Sequence, residues 1–505
     1  MKRRMWVGAP LLTLATALFL PGAASAQSGG LEEVQAGLES VTGGLDVTWI
    51  IVATVLVMFM QAGFAFLEIG FSRGKNVGSG IAKILANFSI ATIAWWGVGF
   101  AVAFGGAGSI AGTDGLFFSY GETIGSAADI EAGAFAAATA SVDGSTTAFM
   151  LFQFMFCAVS LAIVWGTTLE RIKFSAYVIY AIVFAAVIYP LGAHWIFGGG
   201  FLSEIGNGVQ DFAGSTVVHL VGATGALAAL LLLGPRKGKY GPDGKPRPIP
   251  GHSMPLVGLG VLILWLGWFG FNAGSTLGVS DNRFAEVALV TQLGAAGGVI
   301  AASLVTYMKT KALDVGMAGN GAIAGLVGIT APSGYVEFWA APLIGAIAGV
   351  VVVYGVYAIE KKLDDPVGAL SAHGLAGVWG TLACGLFTSP RLAEYNGIGD
   401  PGLIYSGSAS QLGVQAVGVG AAFAVVFVLS FATFWLMKVT IGIRVSEAEE
   451  DAGLDIAVHG MYGYPEQFIP LPEIGAASHG PAAPGYAAPV PAPAVSRMQA
   501  GEATA

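Results

Sequence analysis

The sequence predicts an all-α polytopic membrane protein with about eleven transmembrane helices. Of its 505 residues, 55% are hydrophobic and only 10% are charged, which is more apolar surface than a water-soluble chain of this length can bury. Charge-free intervals long enough for a helix of about 20 residues recur along the chain. Many of the 76 glycines lie inside these intervals, where small residues let helix backbones approach closely.

The charged residues that bound the apolar intervals define the predicted helices. In chain order the intervals are Asp46–Glu68, Lys83–Asp114, Asp143–Glu170, Lys173–Glu204, Asp211–Arg236, Arg247–Asp281, Glu286–Lys309, Asp314–Glu337, Glu337–Glu360, Asp365–Arg391 and Asp400–Lys438. Residues 46–438 therefore form the predicted membrane domain.

The N-terminus has the pattern of a cleaved signal peptide, residues 1–26. A basic start at Lys2–Arg4 precedes an apolar centre, and Ala24-Ser25-Ala26 offers a small-residue cleavage site. The mature chain would then begin near Gln27, outside the cytoplasm, with residues 27–45 as a periplasmic segment. An uncleaved extra helix remains the alternative.

The distribution of basic residues predicts the orientation. An odd number of helices after an outer N-terminus places the C-terminus in the cytoplasm, and the outer loops then hold only Arg283 and Arg391. The inner loops hold the other basic residues between helices: Arg73, Lys75, Arg171, Lys173, Arg236, Lys237, Lys239, Lys245, Arg247, Lys309, Lys311, Lys361 and Lys362. This asymmetry follows the positive-inside rule for a multi-pass protein of a bacterial inner (cell) membrane. Residues 439–462 would form a cytoplasmic regulatory tail, and the Pro/Ala-rich residues 463–505 a disordered one.

Two histidines lie inside predicted helices. His219 follows Asp211 in the fifth interval, and His373 lies in a similar apolar setting in the tenth. Ionisable residues at membrane depth are expensive and indicate functional sites, although a hydrogen-bonded pair that holds helices together is the alternative. One histidine in the fifth helix of each five-helix group predicts an inverted repeat followed by a final helix. A binding site would then lie near the midplane, between the halves.

Aromatic side chains accompany these histidines. The sixth interval places aromatic and polar residues at i, i+3, i+4 and i+7: Trp268, Phe271, Asn272 and Ser275. In the third interval Phe152 and Phe156 share a helical face. An aromatic stripe alone usually indicates core packing, but the mixed stripe suits a pore better than a lipid-facing surface.

Several stretches identify a family when taken together and in order. They are Arg73–Asn76, Glu170–Ser175, Asp211–His219, Gly267–Ser275, Gly321–Thr330, Asp364–Pro366, His373–Gly374 and Gly453–Asp455. From about Asp46 to Tyr462 the chain resembles the ammonium transporter family, the Amt/Mep branch of the Amt/Mep/Rh superfamily. The resemblance implies a homotrimer with one pore per subunit, methylammonium as a substrate analogue, and in many members control by a cytoplasmic PII-type signalling protein. It implies neither cofactor nor metal.

The resemblance also implies roles for residues of the pore. Phe152, Phe197 and Ser275 would recruit ammonium at an outer vestibule, and Phe156 with Phe271 would form a gate below it. His219 and His373 would line the pore and relay protons. Pore-lining or supporting positions would be Asp211, Trp268, Asn272 and Thr330. Two departures matter: relatives often carry tryptophan where this chain has Phe197, and aspartate where it has Gly368.

The same pattern leaves other functions open. Passive conduction of ammonia, as in an Rh-like neutral gas channel, differs from electrogenic transport only in the fate of the proton. An ammonium sensor that signals through its cytoplasmic tail is a further alternative. An enzyme is not predicted, because the sequence has no metal-ligand spacing, nucleophile elbow or phosphate loop.

Overall fold

The computed structural model describes residues 21–106, 108–118, 143–279 and 281–468. Within these ranges the regular secondary structure is helical, apart from two isolated β-bridges. Eleven apolar helices form its body: α1 Pro21–Phe71, α2 Gly74–Phe104, α3 Asp143–Thr167, α4 Phe174–Glu204, α5 Ser215–Leu233, α6 Met254–Ala273, α7 Arg283–Thr310, α8 Val315–Thr330, α9 Ala340–Ile359, α10 Leu370–Phe387 and α11 Ser410–Thr440. Short helices follow α10 and α11: Pro390–Asn396, Leu403–Ser406, α12 Glu447–Ala452, α13 Leu454–His459 and Pro465–Phe468.

The predicted number of helices is confirmed for the part of the chain that the structure describes. Ten helices are long and apolar enough to cross a membrane, and α8 is a shorter apolar helix. The fifth helix begins at Ser215, later than the predicted Asp211, because Gly214 has a φ of 111°. That left-handed conformation interrupts the helix and is one that glycine adopts without strain.

The terminal predictions lie mostly outside the described residues. Residues 1–20 of the predicted signal peptide and residues 469–505 of the predicted Pro/Ala-rich tail are not among them. Residues 21–45 belong to α1, which therefore extends well before the predicted start at Asp46. Cleavage of the leader stays a prediction.

The packing of the helices shows the inverted repeat. Helices α1–α5 form one half and α6–α10 the other, and equivalent pairs are in contact in both: α1 with α3 and α6 with α8, α2 with α4 and α7 with α9, α3 with α5 and α8 with α10. The first helices of the halves, α1 and α6, pack against each other, and α11 packs on α5 and α10. Five helices per half, an odd number, give the halves opposite directions in the membrane.

Glycines bring α1 and α6 unusually close. A Cβ atom on Gly63 would lie 2.7 Å from Cγ of Leu264, and one on Gly260 would lie 2.5 Å from the backbone nitrogen of Leu67. Neither separation is tolerated by real side chains, so larger residues would push the two helices apart. This contact positions the faces of α1 and α6 that point into the subunit.

Ion pairs around the buried carboxylates of Glu170 and Asp364 join the loops at one end of the bundle, which we call the basic end. Glu170 contacts Arg73 at 2.5 Å and Arg236 at 3.7 Å. Asp364 contacts Arg236 at 2.9 Å and Arg171 at 3.9 Å. The loops after α1, α3, α5 and α9 are therefore linked to one another by charge.

The segment after α11 packs onto the basic end. Glu450 of α12 forms an ion pair with Arg444 at 2.7 Å. The carboxylate of Asp455, in α13, accepts hydrogen bonds from the N–H groups of Gly78 and Ser79 at 3.0 and 2.8 Å. The start of α2 is thus held by the C-terminal segment.

We expect Asp364→Asn to destabilise the protein in a pH-dependent way. Burial raises the pKa of Asp364, but its hydrogen bonds with Arg236 and the charge of Arg171 outweigh that effect and lower the pKa to about 2. Since this pKa lies below the value of about 4 in an unfolded chain, the ionised carboxylate adds roughly 2 kcal/mol to the free energy of unfolding above pH 4. That contribution is lost as the pH falls from about 4 through 2. The midpoint of unfolding in detergent should fall between about pH 4 and pH 2 in wild type by more than it does in Asp364→Asn. If the midpoints of the two proteins changed with pH in parallel, the expectation would be contradicted.

Candidate functional site

A pocket of about 300 Å³ lies at the end of the bundle opposite the basic end. Its lining includes Phe197, Asp211, Phe212, Ser275, Arg283 and Tyr335. Three residues predicted from the sequence, Phe197, Asp211 and Ser275, are therefore brought together here. The Ser275 hydroxyl follows the end of α6 and donates to the carbonyl oxygen of Phe271 at 2.8 Å.

A continuous series of rings leads from this pocket into the protein, and we call it the ring column: Phe152, Phe156, Phe271, His219 and His373. Phe152 lies beside the chain next to Ser275, since a Cβ atom on Gly274 would come within 3.2 Å of its ring. The Phe152 and Phe156 ring centroids are 4.8 Å apart. Phe156 and Phe271 are stacked, with centroids 4.1 Å apart and an interplanar angle of 18°. The three phenylalanine rings are buried.

The two histidines face each other at the centre of the column. Their ring centroids are 5.3 Å apart, and their Nδ1 atoms are separated by 3.2 Å. A hydrogen bond at this distance needs one proton between the two nitrogens, so neutral rings take opposite tautomers. His219 is fully buried, and its Nε2 has no hydrogen-bond partner among the described residues. The pair thus presents an unused ring nitrogen to the interior.

The same local structure, a π-helical turn, positions both histidines. Each lies in a π-helical turn at the start of its helix, Ser215–Leu220 in α5 and Leu370–Leu375 in α10. Rare π turns occur frequently at functional sites. They displace the side chains from the faces that an ideal α-helix would give them.

An aspartate precedes each histidine by the same interval and caps its helix. The Asp211 carboxylate accepts four backbone hydrogen bonds of 2.8–3.0 Å. Oδ1 accepts from the N–H groups of residues 214 and 215, and Oδ2 accepts from those of residues 216 and 217. Asp365 accepts the N–H groups of Gly368 and Leu370 at 3.0 and 2.7 Å. The spacing from Asp211 to His219 equals that from Asp365 to His373, so the repeat extends to the site itself.

The supporting residues occupy different sides of the column. Trp268 stacks on His219 with ring centroids 5.2 Å apart, and its indole N–H donates to the Thr330 hydroxyl at 2.9 Å. Asn272 instead donates to Thr291 of α7 at 3.0 Å. Because residues 269–273 form a π turn, the predicted single face is split between the ring column and the neighbouring helix.

A second cavity lies beyond His373, toward the basic end. It has a volume of about 20 Å³, enough for one molecule of the size of water. Phe64, Glu68, Asn320 and Val367 line it together with His373. The Phe64 and His373 rings have centroids 6.4 Å apart. The ring column therefore runs from the pocket to this second cavity, and we call the two the outer pocket and the inner cavity.

Two residues of this arrangement, Asp365 and Glu68, are not among the predicted site residues. Asp365 could have been found from its spacing to His373, which repeats that of Asp211. Glu68 bounds the first apolar interval, and this position predicts only the end of a helix. Its exposed fraction of 1% shows instead that it is buried.

The structure explains the glycine at position 368. Gly368 has a φ of 75°, and a Cβ atom there would lie 3.0 Å from Nδ2 of Asn320 and 3.1 Å from Cγ2 of Val356. Aspartate tolerates a left-handed conformation better than most residues, but here it would also need these neighbours to move. The departure from the family pattern fits the crowding at the inner cavity.

The remaining chemistry of the site is simple. In the described ranges no group of three histidine, cysteine, aspartate or glutamate side chains could hold a metal ion. The column offers aromatic faces, imidazole nitrogens and a few hydroxyl groups. Such an arrangement can hold a small cation at its entrance, pass a small neutral molecule and exchange protons.

The comparisons with known proteins point in one direction. The profile of the Ammonium Transporter Family matches residues 48–464. The chain is 43% identical over 472 residues to the ammonium transporter Amt2 of Archaeoglobus fulgidus, with 91% of this chain and 96% of that protein covered. A solved structure called Sensor Amt Protein shares 35% identity at a TM-score of 0.74, covering 83% of this chain and 99% of the other. Mep2 of Candida albicans shares 28% identity at a TM-score of 0.71, covering 80% and 87%.

Proposed function

This chain belongs to the ammonium transporter family, and from that premise we propose that it recruits ammonium at the outer pocket, removes a proton and conducts ammonia along the ring column. Ammonia would pass the Phe156–Phe271 pair and then the two histidines, with net movement of a proton. The observation that carries the proposal is the paired imidazoles, 3.2 Å apart, behind a stacked aromatic pair.

Recruitment follows from the chemistry of the pocket and of the first ring behind it. Phe197 and Ser275 line the pocket, and Phe152 begins the ring column beside Gly274. Together they would offer aromatic faces and a hydrogen-bond acceptor to a small cation. A cation over an aromatic ring gains up to about 2 kcal/mol when it is desolvated. Asp211 supports this site without binding the ion, because its oxygens are occupied by backbone N–H groups.

Selectivity follows from the cost of burying charge. An ion that leaves the pocket enters a region of buried phenylalanine rings. The free energy needed to desolvate an unpaired charge there is far larger than the stabilisation by the aromatic contact. Ammonium can avoid this cost by losing its proton, whereas potassium cannot. The stacked Phe156 and Phe271 would therefore act as a gate that passes the neutral molecule.

The histidines provide the route for the released proton. One nitrogen of each neutral imidazole donates and the other accepts, so protons can be handed along the pair as the tautomers exchange. Trp268 and Thr330 hold His219 in the required orientation through stacking and a hydrogen bond. Net charge movement distinguishes this scheme from a neutral gas channel.

Transport by purified protein in lipid vesicles tests the proposal. We expect saturable uptake of labelled methylammonium and a transient current after an ammonium pulse. Empty vesicles provide the control for passive leakage. Uptake without current would replace the electrogenic scheme by passive ammonia conduction, and absence of both would overturn the transport proposal.

We expect Phe197→Trp to lower the half-saturating concentration for methylammonium. Phe197 lines the outer pocket, and an indole binds a cation on its face more strongly than a phenyl ring does. The difference corresponds to a decrease of the half-saturating concentration by roughly two- to fivefold. The measurement is the concentration dependence of uptake. Phe201→Trp is the matched control, since Phe201 belongs to the same helix and does not line the pocket. An unchanged half-saturating concentration would argue against a role of this ring in recruitment.

A sensor function is the second candidate, and the packed C-terminal segment favours it. Residues 439–462 contact the start of α2 through Asp455 and the loop after α5 through the Lys237–Asp451 ion pair at 2.5 Å. A ligand that shifted these helices could be reported through the tail. A sensor alone would bind methylammonium with negligible flux, so the uptake experiment separates the two functions.

The assembly and orientation belong to the same proposal. The family supports a homotrimer, and the positive charge of the loops at the basic end supports a cytoplasmic position for that end. The tail segment 439–462 would then be the cytoplasmic regulatory element and would be available to a PII-type protein. Mass measurement of the detergent-solubilised protein tests the trimer, and protease protection in vesicles tests the orientation.

A further inference from the structure

We propose that Glu68 is the inner proton-transfer residue of this transporter, which receives the proton carried by the histidine pair and returns it to ammonia in the inner cavity. The inference rests on the proposed function and extends it to a residue that the family pattern did not mark. It assigns the inner cavity as the place where ammonium is formed again.

The position of Glu68 gives the first argument. Its carboxylate lines the same small cavity as His373, one helical turn before α1 ends at Phe71. The cavity holds about one molecule of the size of water or ammonia. A molecule that has passed His373 therefore meets the Glu68 carboxylate next.

The lack of partners gives the second argument. Glu68 is 1% exposed, and neither Oε1 nor Oε2 has a hydrogen-bond partner among the described residues. A buried carboxylate without partners is costly, and structures retain such groups mainly where they have a function. The free oxygens need a donor, and an ammonium ion or a protonated neighbour supplies one.

The surroundings allow the ion to form and to leave. Gly166 of α3 lies against the carboxylate, where a Cβ atom would be 3.4 Å from Oε1, so this side of the cavity stays open to a small molecule.

The proposed step conserves protons and involves no redox change. An N–H bond of the protonated His373 ring breaks and an O–H bond forms on Glu68, which leaves both groups neutral. The O–H bond then breaks as an N–H bond forms on ammonia, which gives ammonium and restores the carboxylate. The molecule in the cavity can carry the proton between the two side chains.

Glu68→Gln tests the step in reconstituted protein. Glutamine has nearly the same shape but cannot accept and return a proton at neutral pH. We expect the ammonium-induced current to fall by about tenfold or more. Uncharged ammonia driven by its own gradient, measured from the change of internal pH, should still pass. Glu68→Asp keeps a carboxylate and should retain more current than Glu68→Gln.

The controls separate a proton-transfer role from a structural one. Glu39→Gln removes the same charge from an exposed position of the same helix and should leave the current unchanged. A wild-type current in Glu68→Gln would overturn the proposal, and so would parallel loss of current and ammonia flux, because the carboxylate would then only support the structure. Failure of the proposed function itself would be visible in wild type, as absence of current.

Discussion

Replacing either histidine of the ring column by leucine is expected to reduce the ammonium-induced current by about tenfold or more. Leucine fills a similar volume but offers no nitrogen, so the hydrogen bond between His219 and His373 at 3.2 Å is lost. The remaining histidine cannot relay a proton alone. The double variant should lose little beyond either single one, since the two rings act as a unit.

The measurement is the peak current of vesicles on a solid-supported membrane after an ammonium pulse. His252→Gln is the matched control, because this ring lies at the basic end and bonds with Ser72 and Tyr464. Equal amounts of correctly folded protein are verified by gel filtration. A wild-type current in either leucine variant would rule out the histidine pair as the proton route.

Asp211→Asn is expected to have the largest effect on stability. Its two oxygens accept four N–H groups at the start of α5, whereas asparagine has one acceptor oxygen and turns an NH₂ group toward the other donors. Two buried N–H groups would lose their partner, at about 1–3 kcal/mol each. Because His219 lies in the turn that follows, transport should fall together with stability.

Thermal unfolding in detergent checks this expectation. Asp365→Asn is the comparison. Asp365 accepts two short hydrogen bonds and a longer one at 3.4 Å from Val367, so this variant should lose less stability than Asp211→Asn. If Asp211→Asn lost transport at unchanged stability, capping would not explain the residue. A direct part of Asp211 in deprotonation would then be the better account.

The family pattern of this chain could be recognised from its sequence because the membrane imposes simple constraints. A helix must be long enough to cross the hydrocarbon, and charges must lie at its ends, so the charged residues alone marked eleven helices. The two histidines stood out because an ionisable group inside an apolar run is rare. The pairing of Phe156 with Phe271, by contrast, is expected only from the resemblance, and the structure stacks the two rings.

The sequence could not determine how each helix is rotated about its axis. The mixed stripe of α6 predicted one face, but the π turn at residues 269–273 directs Asn272 to Thr291 of the next helix while Trp268 stays beside His219. Glu68 looked like a boundary residue and lies in a cavity instead. Rotation depends on side-chain packing between helices that are distant in the chain, and hydropathy contains no information on it.

By itself, then, the sequence determined the number of helices, their apolar lengths, the concentration of basic residues in alternate loops and the identity of the ionisable groups within the membrane. The tertiary structure alone decided that His219 and His373, 154 residues apart, place their Nδ1 atoms within hydrogen-bonding distance. The physical reason is that burial in lipid acts on each segment separately, whereas the site is formed by close glycine contacts, π turns and aspartate caps that bring two oppositely directed halves together.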